Sequence, residues 1–457
     1  MDASIAESIH AASLALLDDP GVRIEHDEVC RGLLAAGAKP GQVAQVIRFP
    51  RELVAECLKL APSQVHVADR RGAGCRLTPT SPAVAWSVPG MYIWRGGARR
   101  PFTKADMADM ARLLDQLPQV SGVFGVSMSD VPSMAGDVVG LRIMAENTTK
   151  HVRVLCCSSK GAEAMCRMKA VVGEAPWFSV GFTAHGPLRW THLALEIFAR
   201  TAGYGIPTTI NGEPMAGVSA PVTLAGAAAV GNAEILAGLV VNQVLEPGRP
   251  CIYNLGLAHV FDMRTAIAVT GGPENHLLAD ISAAMGRLYN LPSCSWVSTE
   301  SMVPDSQAAM EKSIGWFAHA RSGVSLIWGV GQLESELTIS PAQAVIDNEA
   351  LAYVRRYQRG VRAGQDDLAV DVAREVGIAG EFLSHEHTLA HFRQEIFEPN
   401  ILCRVKREAW SAAGAKPLGQ AAEEQADALI AAPRTPCLAE DQAKALREIE
   451  DSFLQSL

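Results

Sequence analysis

The sequence predicts an α/β protein built as a closed (β/α)8 barrel, with a helical cap before the barrel and a helical extension after it. Eight short runs rich in Val, Ile, Phe and Trp recur between residues 84 and 330, and amphipathic stretches of helical period separate them. No GxGxxG follows the first run and no P-loop occurs, so the marks of an open doubly wound sheet are missing.

The chain has 457 residues, 48% hydrophobic and 19% charged, which is enough apolar surface for a large core and too little charge for a disordered chain. Lys and Arg number 40 against 49 Asp and Glu, a net charge of −9, so no basic surplus exists to neutralise phosphates. Nucleic acid and anionic membranes are therefore not expected partners. The run from Arg95 to Arg100 and the pair Arg355, Arg356 read as solvated surface or helix ends. The ten cysteines form no CxxC pair and read as reduced thiols of a cytoplasmic protein. The opening MDASIAESIH has neither the basic nor the apolar region of a secretory signal. The most apolar long stretch, Thr223 to Glu246, contains Asn232, Glu234, Asn242 and Gln243, which lipid would penalise, so it reads as a buried helix.

Residues 1–75 form the expected cap. Ile5, Ile9, Ala12 and Leu16 recur at helical spacing and Pro20-Gly21 breaks the run; a second helix over 27–36 stops at Gly37, and Pro50 opens a third that ends before Pro62. The barrel spans 76–365, with strands expected at 84–88, 121–127, 152–158, 177–183, 207–211, 251–255, 293–298 and 324–330. In the gaps, Thr103 caps a helix with Asp106 at its third position. Ser340-Pro341 opens another that is expected to bury Ile346, Ala350, Tyr353 and Val354. Residues 366–457 continue as helices, interrupted by Pro433 and Pro436. The last segment carries a stripe of Leu446, Ile449 and Phe453, which reads as docking onto the barrel or as a subunit contact in a homodimer or larger homo-oligomer.

In such a barrel the chemistry lies just after each strand. Those positions hold Tyr92 and Trp94, Ser127 to Asp130, His185, Asn211 and Glu213, His259 and Asp262, Glu300 and Asp305, and finally Gln332 and Glu334. Trp86, Phe124, Tyr253, Trp296 and Trp328 sit within the strands. One reading is that these rings fill the barrel in layers. The other is that several of them face a quaternary ammonium, whose contact with a ring face contributes about 0.5–2 kcal/mol.

No nucleophilic constellation is evident: GxSxG and HExxH are absent, and Ser and Cys lack a base at diagnostic spacing. His385, His387 and His391 are the one cluster with ligand-like spacing, but no third ligand of fixed geometry accompanies them, and a structural role is favoured over a metal site.

Four strings carry a resemblance: IHAASLALLDDPGVRI (9–24), INGEPMAGVSAPVTLAGAAAVGNAEILAG (210–238), VIDNEALAYVRRYQRG (345–360) and FLSHEHTLAHFR (382–393). Together they resemble the trimethylamine:corrinoid methyltransferase superfamily, over about residues 5–430. The resemblance implies a (β/α)8 barrel that presents a methylated amine to cobalamin carried on a separate corrinoid protein, the cofactor supplying the hard step. Founding members of that family use pyrrolysine late in the barrel; here the corresponding stretch, SLIWGVGQLES (325–335), holds ordinary residues only. Members without pyrrolysine resemble methyltransferases for quaternary amines such as glycine betaine, whose nitrogen leaves neutral without needing a proton.

On that resemblance Trp296, Trp328 and Tyr253 are candidate cage rings, with Phe124 and Trp94 as additions. Asn211, Glu213, His259, Gln332 and Glu334 are candidates to fix the polar end of a quaternary or tertiary amine and to orient the reacting methyl. Each polar residue has the alternative role of capping a helix or satisfying loop backbone. Two other functions stay open at this point: a metal-dependent barrel hydrolase using the carboxy-terminal histidines, and a betaine-binding homologue without catalysis.

Overall fold

The structure is a computed structural model and describes residues 3–72 and 74–457. All eight expected strands are present: β1 Val84–Ser87, β2 Val120–Phe124, β3 His151–Arg153, β4 Phe178–Ala184, β5 Thr208–Gly212, β6 Cys251–Gly256, β7 Ser293–Trp296 and β8 Leu326–Val330. They pair in chain order, all parallel, and β8 returns to β1 through Leu326 opposite Val84 and Trp328 opposite Trp86. The sheet is therefore a closed barrel with no free edge.

Three helices precede the barrel: α1 Ala3–Asp18, α2 Asp27–Ala35 and α3 Arg51–Leu60. Around it run α4 Lys104–Gln116, α5 Gly136–Asn147, α6 Gly161–Val172, α7 His192–Arg200, α8 Leu224–Leu245, α9 Pro273–Leu288, α10 Ser306–Ser322 and α11 Pro341–Gln358. After them come α12 Gln365–Leu368, α13 Val370–Val376, α14 Glu386–Glu395, α15 Arg407–Ala412, α16 Leu418–Ala431 and α17 Glu440–Gln455. The expected caps form: Thr103 and Asp106 close a capping box on α4, and Ser340 accepts from the Gln343 N–H at the start of α11.

Period-two alternation divides each strand between the lumen and the helical shell. Trp86 stacks on His151 with ring centroids 5.0 Å apart at the bottom of the lumen. Gly122 makes room for the indole, since a Cβ there would lie 2.6 Å from Trp86 Nε1. Burial holds the His151 imidazole neutral, its pKa pushed down to about 3. A hairpin of Val65–Val67 and Cys75–Leu77 lies at the N-terminal ends of the strands, where the Ala68 and Arg70 N–H groups bond to Pro176 and Thr149, and the Ser325 hydroxyl to Thr78.

Helix α8 is long and apolar enough to cross a membrane by composition, but it lies between the barrel and α1 to α3. Its polar residues are in use inside the protein. Asn232 donates to Ser13 and Tyr289, and Gln243 accepts from the Gly248 N–H and donates to the Arg249 carbonyl.

Several details depart from the sequence reading. The first sixty residues are not purely helical: Val22–Ile24 pairs with Val46–Arg48 and with Arg189–Trp190. The buried stripe of α1 is Ala6, Ile9, Ser13, Leu14 and Leu17, with Ile5 and Ala12 exposed, because α8 lies against a face rotated from the one expected. On α11, Val345, Leu351 and Val354 are buried while Tyr353 is exposed. Buried Asp347 draws the inner face round towards a charged partner on α10. The stripe of Leu446, Ile449 and Phe453 on α17 is covered within the chain by α5 and α6, so a homodimer would use another surface.

Candidate active site

A cavity of about 360 Å³ opens at the C-terminal ends of the strands. Its inner wall is Phe124 from β2, Arg153 from β3, Gly181 and Thr183 from β4, Asn211 from β5, Trp296 from β7 and Trp328 from β8. Glu213, His185, Leu257, Gln332 and Glu336 come from the loops beyond. Asn211 is held by two neighbours: its Nδ2 donates to Thr183 Oγ1 at 3.1 Å and its Oδ1 accepts from Asn254 Nδ2 at 3.0 Å.

The loop after β8 is built to hold Gln332. Lys312 Nζ donates to the carbonyls of Gly329 and Gln332 and to Asp347 Oδ2. Gly329 sits at φ +143 with Val297 O 2.2 Å from where a Cβ would be, so only glycine fits. Trp296 Nε1 donates to Gln332 Oε1. Beyond it Glu334, Ser335 and Glu336 all adopt positive φ, at 55, 45 and 80 degrees. Three successive non-glycine residues in that region cost about 1–3 kcal/mol each. The Glu334 and Ser335 N–H groups are tied to the Ser301 and Thr299 carbonyls, which holds the turn and places Glu336 on the cavity wall.

Charge in the cavity is divided. Glu213 and Glu336 are only partly covered, and burial pushes their carboxyls up to about 8 and about 7, the Glu336 and Glu234 charges adding to the rise at Glu213. Glu234 on α8 is also raised to about 7 by burial, although it accepts from the Leu188 N–H at 2.8 Å. At the inner end stands Arg153, 3% exposed, its guanidinium 4.9 Å from the Phe124 ring centroid and 5.9 Å from that of Trp328. Two of the expected cage rings therefore already face a cation belonging to the chain.

Of the residues singled out from sequence, Phe124, Trp296, Trp328, Asn211, Glu213 and Gln332 meet at this cavity. Four do not. Tyr253 points outward from β6, its hydroxyl donating to Asn232 on α8 at 2.8 Å. His259 begins the strand His259–Asp262, the middle strand of a small three-stranded sheet, and bonds through Nδ1 to the Leu257 carbonyl, and burial lowers its pKa. Glu334 pairs with Arg99 at 2.7 Å, and Trp94 lines a separate small cavity with Arg95, Glu423 and Asp427. Asp262 and Arg264 form an ion pair at 2.9 Å beside a hairpin turn. His385 caps α14, His387 and His391 stack at 4.2 Å, and among the described residues no group of three or more His, Cys, Asp or Glu is arranged to hold a metal. Arg153 and Glu336 were missed. The signal for Arg153 was present: a charged residue inside a strand buried on both faces.

A closed parallel barrel with a polar cavity at its C-terminal face defines an enzyme of the (β/α)8 class. The family model described as trimethylamine methyltransferase (MTTB) matches residues 1–451. Trimethylamine methyltransferase MttB of Desulfitobacterium hafniense (strain DSM 10664 / DCB-2) is 30% identical, covering 97% of this chain and 91% of that protein. A glycine betaine methyltransferase of D. hafniense (strain Y51) is 25% identical over 89% of this chain and 87% of its own length. Among solved structures, the monomethylamine methyltransferase of Methanosarcina barkeri aligns with a TM-score of 0.56 at 12% identity, covering 94% of this chain and 88% of that one, which speaks for the fold. The chain belongs to the trimethylamine methyltransferase family and is a methyltransferase.

Proposed function

We propose that the cavity receives a quaternary or tertiary methylamine, a betaine above all, and presents one of its methyl groups to a separate corrinoid protein. The observation that carries this reading is the rim. Two carboxylates, Glu213 and Glu336, come from its loops and the ring of Trp296 lines the wall within, an arrangement suited to a cation that has no N–H to donate. The names of the relatives, trimethylamine methyltransferase and glycine betaine methyltransferase, support the same substrate class. Residues 325–335 contain no pyrrolysine, which accords with a permanently charged nitrogen that leaves as a neutral tertiary amine.

The corrinoid, when its carrier docks, supplies the nucleophile that accepts the methyl group. The carbon–nitrogen bond breaks and its electron pair stays on nitrogen. This chain's residues bind and orient the amine and keep bulk water from it, and the bound cation draws the rim carboxyls of Glu213 and Glu336 towards their charged form beside the nitrogen. A docking face suits the carrier: Met91, Val218, Met263, Met302 and Leu337, from loops and turns after the strands, and Leu193, from the first turn of α7, all expose large apolar side chains. The ten unpaired cysteines accord with a reducing cytoplasm.

Incubating the protein with a reduced corrinoid protein and a panel of methylated amines, and following the corrinoid by absorbance, tests this reading. A change with at least one quaternary amine is expected; a flat trace across the panel contradicts it.

A further inference from the structure

Arg153 lies at the inner end of the cavity without a counter-ion. Among the described residues no carboxylate comes within ion-pair distance of it. Its Nη1 donates to the Val154 carbonyl and its Nη2 to Thr209 Oγ1 at 3.2 Å, while Nε has no partner. The position is built for the guanidinium, because at Gly181 a Cβ would lie 1.9 Å from Nη2. Burial lowers its pKa only to about 10, so the group keeps its charge at neutral pH.

Two further donors of the same cavity are also unsatisfied. An indole nitrogen can only donate, so Gln332 must turn Oε1 towards Trp296, which leaves its Nε2 free. Trp328 Nε1 is likewise buried without a partner. Three unpaired donors therefore line the same cavity as the two carboxylates of the rim. An unsatisfied buried donor is costly, and three around a fixed guanidinium match a ligand with two acceptor oxygens.

Other buried arginines are treated differently. Arg249 is fully buried, yet its Nε, Nη1 and Nη2 bond to Ile206, Phe198 and Thr201, and Glu246 stands 3.5 Å away. Arg70 also has open N–H groups, but its Nη2 donates to the Ala145 carbonyl and the charges of Asp115 and Asp69 act on it. Of the two fully buried arginines among the described residues, Arg153 is the one that combines a missing counter-ion, a free donor and open space.

We propose that Arg153, with the Gln332 amide and the Trp328 indole N–H, anchors a substrate carboxylate, so that the methyl donor is an N-methylated zwitterion and not a simple methylamine. The inference rests on the reading of this cavity as the methyl-donor site and sets the orientation within it. The carboxylate lies inward on Arg153 and the ammonium outward between Glu213 and Glu336, its methyl groups towards the mouth.

Calorimetric titration of the full chain with glycine betaine, γ-butyrobetaine, choline and 3,3-dimethylbutanoate tests it. Choline keeps the cation and replaces the carboxylate by an alcohol, whereas 3,3-dimethylbutanoate keeps the carboxylate and replaces the charged nitrogen by carbon. One of the two betaines is expected to bind about 100-fold more tightly than choline, the effect of charge-assisted hydrogen bonds to a carboxylate. Arg153→Gln is expected to erase that preference by weakening the betaines, with no loss of choline affinity. Should Arg153→Gln fail to fold, Gln332→Glu serves as the second variant: it places a carboxylate beside the guanidinium and is expected to weaken betaine and 3,3-dimethylbutanoate together while sparing choline. Equal affinities for the betaines and choline, or a betaine preference that survives either substitution, overturns the anchor and leaves the methyl-donor reading standing. No binding by any of the four compounds overturns both.

Discussion

Lys312 and Asp347 form a buried ion pair at 2.6 Å behind the last barrel strand, and the pair reaches the cavity through the main chain. Lys312 also donates to the Gly329 and Gln332 carbonyls, while Asp347 accepts from the Gly331 N–H, the Trp316 indole and the Gln343 amide. The segment that carries Trp328 and Gln332 is thus held at three successive points. Burial lowers the Lys312 pKa, opposed by the Asp347 charge. Removing either partner strands the other in a dry interior.

Lys312→Met and Asp347→Asn are each expected to destabilise the fold by about 3–5 kcal/mol in denaturant titrations, the usual cost of an orphaned buried charge. A loss below about 1 kcal/mol would mean that the pair adds little beyond the packing around it.

A second expectation follows from the carboxyls near the cavity. Glu213, Glu234 and Glu336 hold their protons up to about 8, 7 and 7 in the folded protein, against 4.5 for an ordinary glutamate. Between those limits these three carboxyls bind more protons folded than unfolded, so the stability they contribute is fully present below about pH 4.5 and is lost as pH rises towards 8. Glu213→Gln should flatten part of that decline in melting curves taken across the interval, and a bound cationic amine should reverse part of it at the upper end. A Glu213→Gln curve that runs parallel to that of the parent protein from pH 4.5 to 8 would contradict the shift assigned to Glu213.

Gly181→Ala should expel the Arg153 guanidinium, because the added Cβ would stand 1.9 Å from Nη2 and 2.0 Å from Thr209 Oγ1. Overpacking of this kind costs about 1–3 kcal/mol. A fall in betaine affinity larger than the fall in stability is expected, read by calorimetry beside a denaturant titration.

The two ring residues separate cavity from scaffold. Trp296→Ala should weaken binding of a quaternary amine about 10-fold, as one lost cation–π contact and a released Gln332 imply. Tyr253→Phe should leave that affinity unchanged and lower stability by about 1 kcal/mol, the worth of its bond to Asn232. The opposite pattern would return Tyr253 to the site.

The barrel could be read from sequence because a parallel strand covered on both faces is a short continuous apolar run, and eight such runs stand out between helices. Site residues on the strands were harder, because a one-residue step reverses the direction of a side chain. Asn254 faces the lumen and bonds to Asn211, while Tyr253 beside it faces α8. The hairpin Tyr92–Arg95 with Ala98–Pro101 carried Trp94 off to a second cavity, and the turn at Glu334 to Glu336 exchanged one glutamate for another two positions on. Neither displacement follows from strand periodicity. Arg153 announced itself only by being charged where its neighbours were apolar.

A crystal structure of the full chain with a bound betaine tests the central claim most directly. The carboxylate should lie on the Arg153 guanidinium within hydrogen-bond distance of Gln332 Nε2, with the trimethylammonium group between Glu213 and Glu336 and facing the open end. A betaine bound in the reverse sense, or found outside this cavity, would contradict the account.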